Sequence, residues 1–327
     1  MSLLTRISQL FSKQQSNQIL GIALQQGALT SCLLPKIPNS TKSTKDEDVG
    51  IPQPSCQNTP VNLSDFAKAI AVLHTDSPLT GLCHLVLNAQ QSQIVQVDKP
   101  NVPANEIIAA LKWQVKDLVT ISPDNMVVDY FDGPLLSGGK EKINVVCAPL
   151  NELKKLVAAI NKTDAEVASI VTEEFAFANL LPVQSEACLL VCQQPNEEIT
   201  LLIVKQGQLY FHRRLRGFSQ IAKKSEDELT MTMIDSLALE IQRSSDYFER
   251  QLKQAPIKEI KVLLPMASES FFARKLAENT HLSVDLLVLP DAFLQHRTHA
   301  AAIGATLLET RLAEKAQLQA QELTHAS

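Results

Sequence analysis

Apolar residues along this chain alternate between strand-like runs and helical stripes. Residues 2–13 place Leu3, Leu4, Ile7, Leu10 and Phe11 on one helical stripe, with Arg6 and Lys13 off it. That pattern suits either a helix packed on the domain behind it or one laid on a membrane surface or a partner. Residues 19–24 and 29–34 read as strands joined by a hairpin turn at Gln26-Gly27. Residues 35–60 then lose the rhythm. Five prolines among Ser, Thr, Lys and Asp predict a mobile loop or linker. A helix over 66–73 and strands over 81–87 and 93–97 follow.

Residues 98–172 read as a compact α+β layer of their own. A helix is expected over 105–119, with Ile107, Ala110, Leu111, Val115 and Leu118 on one face. Strands follow over 126–131 and 143–148, then a helix capped by Asn151 and running to 160, with Glu152 favoured in its first turn. A strand over 165–171 closes the layer, and a helix over 172–181 leads back. The second half opens with a three-strand meander over 189–192, 199–205 and 208–214, turning at Gln206-Gly207. Leu229, Met233, Leu237, Ile241, Phe248 and Leu252 mark one long helix over 226–252, roughly 40 Å at 1.5 Å per residue, ended by Pro256. A strand over 260–264, a helix over 269–278, a strand over 284–289 and a helix over 298–309 complete an α/β half. The division expected is an amphipathic segment 1–18, a first lobe 19–182 with the 98–172 insertion, a second lobe 185–309 and a polar helical tail 310–327.

Composition narrows the function classes. The chain has 327 residues, 45% hydrophobic and 20% charged, enough to fill a two-lobed core. A net charge of −5 and the lack of a basic stripe argue against nucleic acid. No run of about 18 apolar residues and no cleavable leader are visible, so a cytoplasmic chain is expected. The six cysteines sit mostly in apolar runs and read as reduced, buried small hydrophobes. Cys188 and Cys192 are four apart on a strand, a poor metal spacing. His296 and His299 lack an acidic third ligand, so no metal site is expected. No nucleophile–base motif occurs, so no catalytic residue is assigned.

The stretch Glu240-Ile-Gln-Arg-Ser-Ser-Asp-Tyr-Phe-Glu-Arg-Gln251, the strand at 260–264 and Ala301-Ala-Ile-Gly-Ala305 come in an order similar to the closing part of the second lobe in actin-like ATPases. Ala109-Ala-Leu-Lys-Trp-Gln-Val-Lys-Asp-Leu118, Val127-Val-Asp-Tyr-Phe-Asp132 and Gly207-Gln-Leu-Tyr-Phe-His-Arg-Arg214 resemble, more narrowly, the type IV pilus assembly proteins of the PilM kind, and among them the version serving mannose-sensitive haemagglutinin (MSHA) pili. The resemblance spans about residues 19–309. It implies a bilobal α/β fold of the actin-like ATPase (ribonuclease H-like) type with a small α+β insertion in the first lobe. It also implies a place at the inner-membrane face, and a groove by the insertion that captures the cytoplasmic N-terminus of a PilN-like inner-membrane protein.

Members of that superfamily bind magnesium and ATP through Gly-Ile-Asp-Ile-Gly loops. The aspartate orders the metal and its water, and the glycines let backbone N–H groups approach phosphate. Here the first loop is Gly21-Ile-Ala-Leu-Gln-Gln26, with Ala23 in the aspartate position and Gln25 in a glycine position. At the second loop Val191-Cys-Gln-Gln194 replaces Val-Asp-Ile-Gly, and the adenosine-side Gly-Gly is Pro265-Met266. Charge-assisted contacts contribute about 1.5–3 kcal/mol each, so losing several weakens binding by several powers of ten. The expectation is a pseudo-ATPase scaffold with no bound cofactor. What remains of the cleft is Gly21, Gly207, Glu240, Arg243 and Gly304, with Glu240 and Arg243 read first as a solvated i,i+3 pair and second as part of the adenosine side. Trp113, the only tryptophan, reads as a partly buried packing residue or as a partner anchor. The rival reading is an ATP-binding or ATP-hydrolysing regulator of pilus assembly. A third is a membrane-surface adaptor working through residues 2–13.

Overall fold

Two five-stranded sheets repeat one strand order in the computed structural model, which describes residues 18–35, 54–61, 65–133, 141–280 and 282–325. The first sheet runs β3 (Ser55–Pro60), β2 (Ala28–Pro35), β1 (Gln18–Gln25), β4 (Thr80–Leu87), β8 (Asp164–Thr172). The second runs β11 (Gln208–Leu215), β10 (Ile199–Lys205), β9 (Cys188–Cys192), β12 (Glu259–Leu263), β13 (Ser283–Leu286). In each, the first three strands form an antiparallel meander. The fourth and fifth add in parallel through crossovers. Parallel strands covered on both faces need continuous apolar runs, and β9 is buried at every position.

Helices supply the covers. α1 (Phe66–Asp76) buries Ala69, Ile70 and Leu73 on the first sheet, with Asp65 accepting the Lys68 N–H as its cap. α2 (Ile107–Gln114) belongs to the insertion. α3 (Leu150–Ile160) buries Leu156 and Ile160 against α1 and β8, and α4 (Glu173–Ala178) leads towards the second lobe. α5 (Ile234–Asp246) lies on the second sheet, followed by α6 (Glu269–Thr280), α7 (Ala300–Thr306) and α8 (Leu308–His325). The helix carrying α5 starts with a capping box, Ser225 to Glu228. Two π turns, Leu229–Met233 and Tyr247–Gln251, flank α5 and break the single long α-helix expected from sequence.

α7 is wedged between the lobes and is buried along its whole length. A Cβ at Gly21 would overlap the Ala302 carbonyl, and one at Gly304 would overlap the Ala176 carbonyl. Both glycines let α7 approach backbone closely, one against β1 and one against α4.

The structure corrects several expectations. Residues 55–60 are not loop: they form β3, the edge strand of the first sheet. That pairing sets Cys56 opposite Cys32, and the two form a disulfide, so the cysteines are not all reduced. Cys83, Cys147, Cys188 and Cys192 are free and buried. The rest of the 35–60 loop, at 36–53, and the 2–13 stripe lie outside the described residues. β8 pairs with β4, so residues 150–172 belong to the first lobe. The inserted sheet is β5 (Gln93–Asp98), β7 (Lys142–Pro149) and β6 (Met126–Asp132), backed by α2. The α2 helix ends at Gln114, and Leu118 is exposed rather than on a buried stripe. Pro149, not Asn151, occupies the cap position of α3. The Asn151 N–H is taken up by the Asn125 side chain. The strand expected to reach 289 stops at Leu286, and the helix expected over 298–309 is split between α7 and α8.

Candidate functional site

The two hairpins that would cradle phosphate touch each other. Gln26 at the β1–β2 turn donates its backbone N–H to Glu197 Oε1 at 3.2 Å. From the β9–β10 loop, Gln194 Nε2 donates to the Leu24 carbonyl at 3.3 Å and to Glu173 Oε2 at 2.7 Å. Arg214, on β11, reaches across with both terminal nitrogens. Nη1 lies 2.6 Å from Glu173 on α4, and Nη2 lies 2.8 Å from Glu197. Asn88, just past β4, donates to Glu197 as well. One guanidinium thus serves two buried carboxylates at the joint between lobes. Burial, followed by the charges of Glu197 and Glu174, pushes the Glu173 carboxyl up to about 8, and burial also raises Glu197.

The third loop is also filled by the chain. Met266 packs on the second-lobe core, and its N–H is donated to the Leu264 carbonyl at 2.7 Å. Glu269 accepts the Leu264 N–H and pairs with Arg297, whose guanidinium also donates to the Val262 and Leu287 carbonyls. A magnesium triphosphate needs free carboxylate oxygens and open backbone N–H groups. Here Glu173 and Glu197 are tied to arginine, amide and N–H donors, the neighbouring Glu174 keeps one buried oxygen without a hydrogen-bond partner among the described residues, and the first aspartate position is Ala23, fully buried. Neither phosphate loop carries a carboxylate at the position where the group's metal would be held. Among the described residues, no set of three His, Cys, Asp or Glu side chains could hold a metal ion.

The residues singled out from sequence are not gathered into one place. Gly21 and Gly304 are spent on helix packing. Gly207 takes φ +66° in the β10–β11 turn beside Val183. Glu240 pairs with Arg243 at 2.6 Å, as an i,i+3 pair, and with Arg213 on β11 at 2.9 Å, which fastens α5 to the meander. Trp113 is 66% exposed on α2, with Lys116 over its ring, and not partly buried. Sequence reasoning missed Arg214, Glu173 and Glu197. The usable signals were an arginine pair inside an apolar meander and a glutamate pair opening a helix.

A second feature is open. Between the inserted layer and the first lobe lies a groove of about 400 Å³. Its walls are the face of the inserted sheet turned away from α2 (Val127, Asp129, Val146, Ala148), one side of α3 (Leu153, Val157, Asn161), and β8 from Glu166 to Thr172. Alternation along β6 explains the first wall: Val128 and Tyr130 pack towards α2, so Val127 and Asp129 face the groove. Among the described residues β8 is the edge of its sheet, with β4 as its one strand neighbour. Its outer backbone groups therefore offer a ladder for another strand. Trp113 lies across the inserted sheet from this groove and does not line it.

The repeated five-strand order, with a three-strand layer inserted in the first lobe, is the bilobal actin-like ATPase (ribonuclease H-like) fold, in the α/β class. Among solved structures, the chain is similar to the PilM-PilN type IV pilus biogenesis complex, at 15% identity and TM-score 0.59 over 89% of this chain and 98% of that one. It is also similar to the cytoplasmic domain of EpsL, an inner-membrane component of the type II secretion system of Vibrio cholerae, at 12% identity and TM-score 0.51 over 90% and 95%. No family model and no curated protein matches the chain. Among the described residues, no helix is long and apolar enough to cross a membrane.

Proposed function

We propose that this chain is a cytoplasmic scaffold of a type IV pilus assembly machine. In this reading it sits at the inner-membrane face and holds the cytoplasmic N-terminus of a PilN-like membrane protein in the groove between β8, α3 and the inserted sheet. The observation that carries the reading is the groove itself: apolar walls beside an unpaired strand edge suit an extended peptide that adds main-chain hydrogen bonds to β8. The shared fold with a PilM–PilN complex supports the choice of partner. The finer reading, resting on the sequence stretches at 109–118, 127–132 and 207–214, is that the machine builds MSHA pili and that the chain resembles MshI there. The interlobe cleft, closed by Arg214 and its two glutamates, serves as a structural joint and not as an ATP site, which makes the chain a pseudo-ATPase.

Fluorescence anisotropy with a labelled peptide, the first 20 or so residues of a PilN-like protein, tests the reading. Saturable binding that Mg-ATP does not alter is expected. No binding by the wild-type chain, with micromolar Mg-ATP affinity by calorimetry, favours the ATP-binding regulator instead.

A further inference from the structure

The groove has a charge as well as a shape. Among the described residues its lining includes two carboxylates, Asp129 on β6 and Glu166 on β8, and no lysine, arginine or histidine. Glu166 stands near the start of β8, whereas Asp129 stands on the wall of the inserted sheet among Val127, Val146 and Ala148. Asp129 is half-buried, and among the described residues its carboxylate makes one hydrogen bond, accepting the Tyr130 N–H at 2.8 Å. A carboxylate placed against valines and alanine without a cation is a cost to the free protein. Burial accordingly holds its carboxyl above the ordinary aspartate range. A ligand that brings a cation removes that cost, and a neutral apolar ligand does not.

We propose that Asp129 is the specificity-determining residue of the groove, and that it selects peptides carrying a lysine or arginine between apolar residues. This rests on the reading of the groove as a peptide site. Side chains of a strand added to β8 alternate between faces, so the cation and its apolar flanks occupy distinguishable positions. Asp129 takes the cation, while β8 and α3 take the flanks.

The test uses the full chain and the labelled N-terminal peptide of a PilN-like protein, with each basic residue of the peptide replaced singly by Gln. Asp129→Asn keeps the acceptor for the Tyr130 N–H, and an unchanged melting temperature establishes that it folds. For the native peptide, Asp129→Asn is expected to weaken binding roughly tenfold or more, the scale of one charge-assisted contact. One particular Gln-substituted peptide is expected to bind wild type and Asp129→Asn equally. Asp129→Lys is expected to recover affinity when that same peptide position is Glu. Equal affinity of wild type and Asp129→Asn for the native peptide overturns the proposal, and so does an equal loss across every peptide. Val157→Arg separates the two levels. If it abolishes binding while Asp129→Asn changes nothing, only the charge selection is wrong. If neither variant changes binding, the groove is not the peptide site.

Discussion

The cleft between the lobes and the groove beside the inserted layer are both gaps between elements, yet they are built in opposite ways. In the cleft most polar groups bind one another, although Gln194 Oε1 and Glu174 Oε2 are buried without a hydrogen-bond partner among the described residues. Arg214, Glu173, Glu197, Gln194 and Gln26 join the two lobes through direct hydrogen bonds. In the groove the reverse holds: among the described residues it has an edge strand with one neighbour, valines and alanines on two walls, and a carboxylate with no cation. A buried hydrogen-bonded network across two lobes rigidifies the joint between them. A surface left incomplete in both apolar contact and charge is one that a partner completes. In the proposed reading the interlobe cleft is a structural joint, and a partner is held in the groove outside it.

The contrast can be broken most sharply from the cleft side. Arg214→Met leaves Glu173 and Glu197 buried beside each other without their cation. Because Arg214 is itself partly exposed, a loss near the lower end of the range for broken buried pairs, about 3 kcal/mol, is expected by denaturant unfolding. Val157→Arg puts a charged side chain into the apolar wall while leaving the core of the lobe intact. A loss of peptide affinity of about 100-fold or more is expected by anisotropy, near 2.7 kcal/mol, with the melting temperature within a few degrees of wild type.

A pH series sharpens the cleft further. The folded carboxyl of Glu173 lies near 8 against an ordinary 4.5, so the folded state holds its proton more tightly than the unfolded chain does. Stability from this group is therefore fully present below 4.5 and is lost as pH rises from 4.5 towards 8. Glu173→Gln is expected to flatten that part of the stability curve, and an unaltered slope would count against the shift. The smallest effect belongs to Arg243→Ala. Arg243 is 58% exposed, and Glu240 retains Arg213, so a change of about 0.5 kcal/mol or less is expected in thermal unfolding.

Much of the frame was legible because it depends on local pattern. The hairpin turns at Gln26-Gly27 and Gln206-Gly207, the buried runs of β9 and β10, and the amphipathic stripe of α5 are each set by neighbouring residues. What failed depends on distant partners. β3 has a loop-like composition and becomes a strand through pairing with β2. β8 follows the inserted sheet in sequence but is captured by β4, more than 70 residues earlier in the chain. The groove draws on β6, β7, α3 and β8, whose individual patterns carry no sign of a cavity. The cleft was half legible. The missing aspartates could be read from Ala23 and Cys192, but nothing local announced that Arg214 would span two glutamates from different lobes. Trp113 drew attention for its rarity, and the fold sets it on the far side of the inserted sheet from the groove.

Amide hydrogen exchange, read first with the PilN-like peptide and then with Mg-ATP, tests the separation of the two places in one measurement. The account expects the peptide to slow exchange along β8 over 166–172 and in α3, and expects Mg-ATP to leave the turns at 24–27 and 193–198 unchanged. Protection of those two turns by nucleotide, with none along β8 from the peptide, would contradict it.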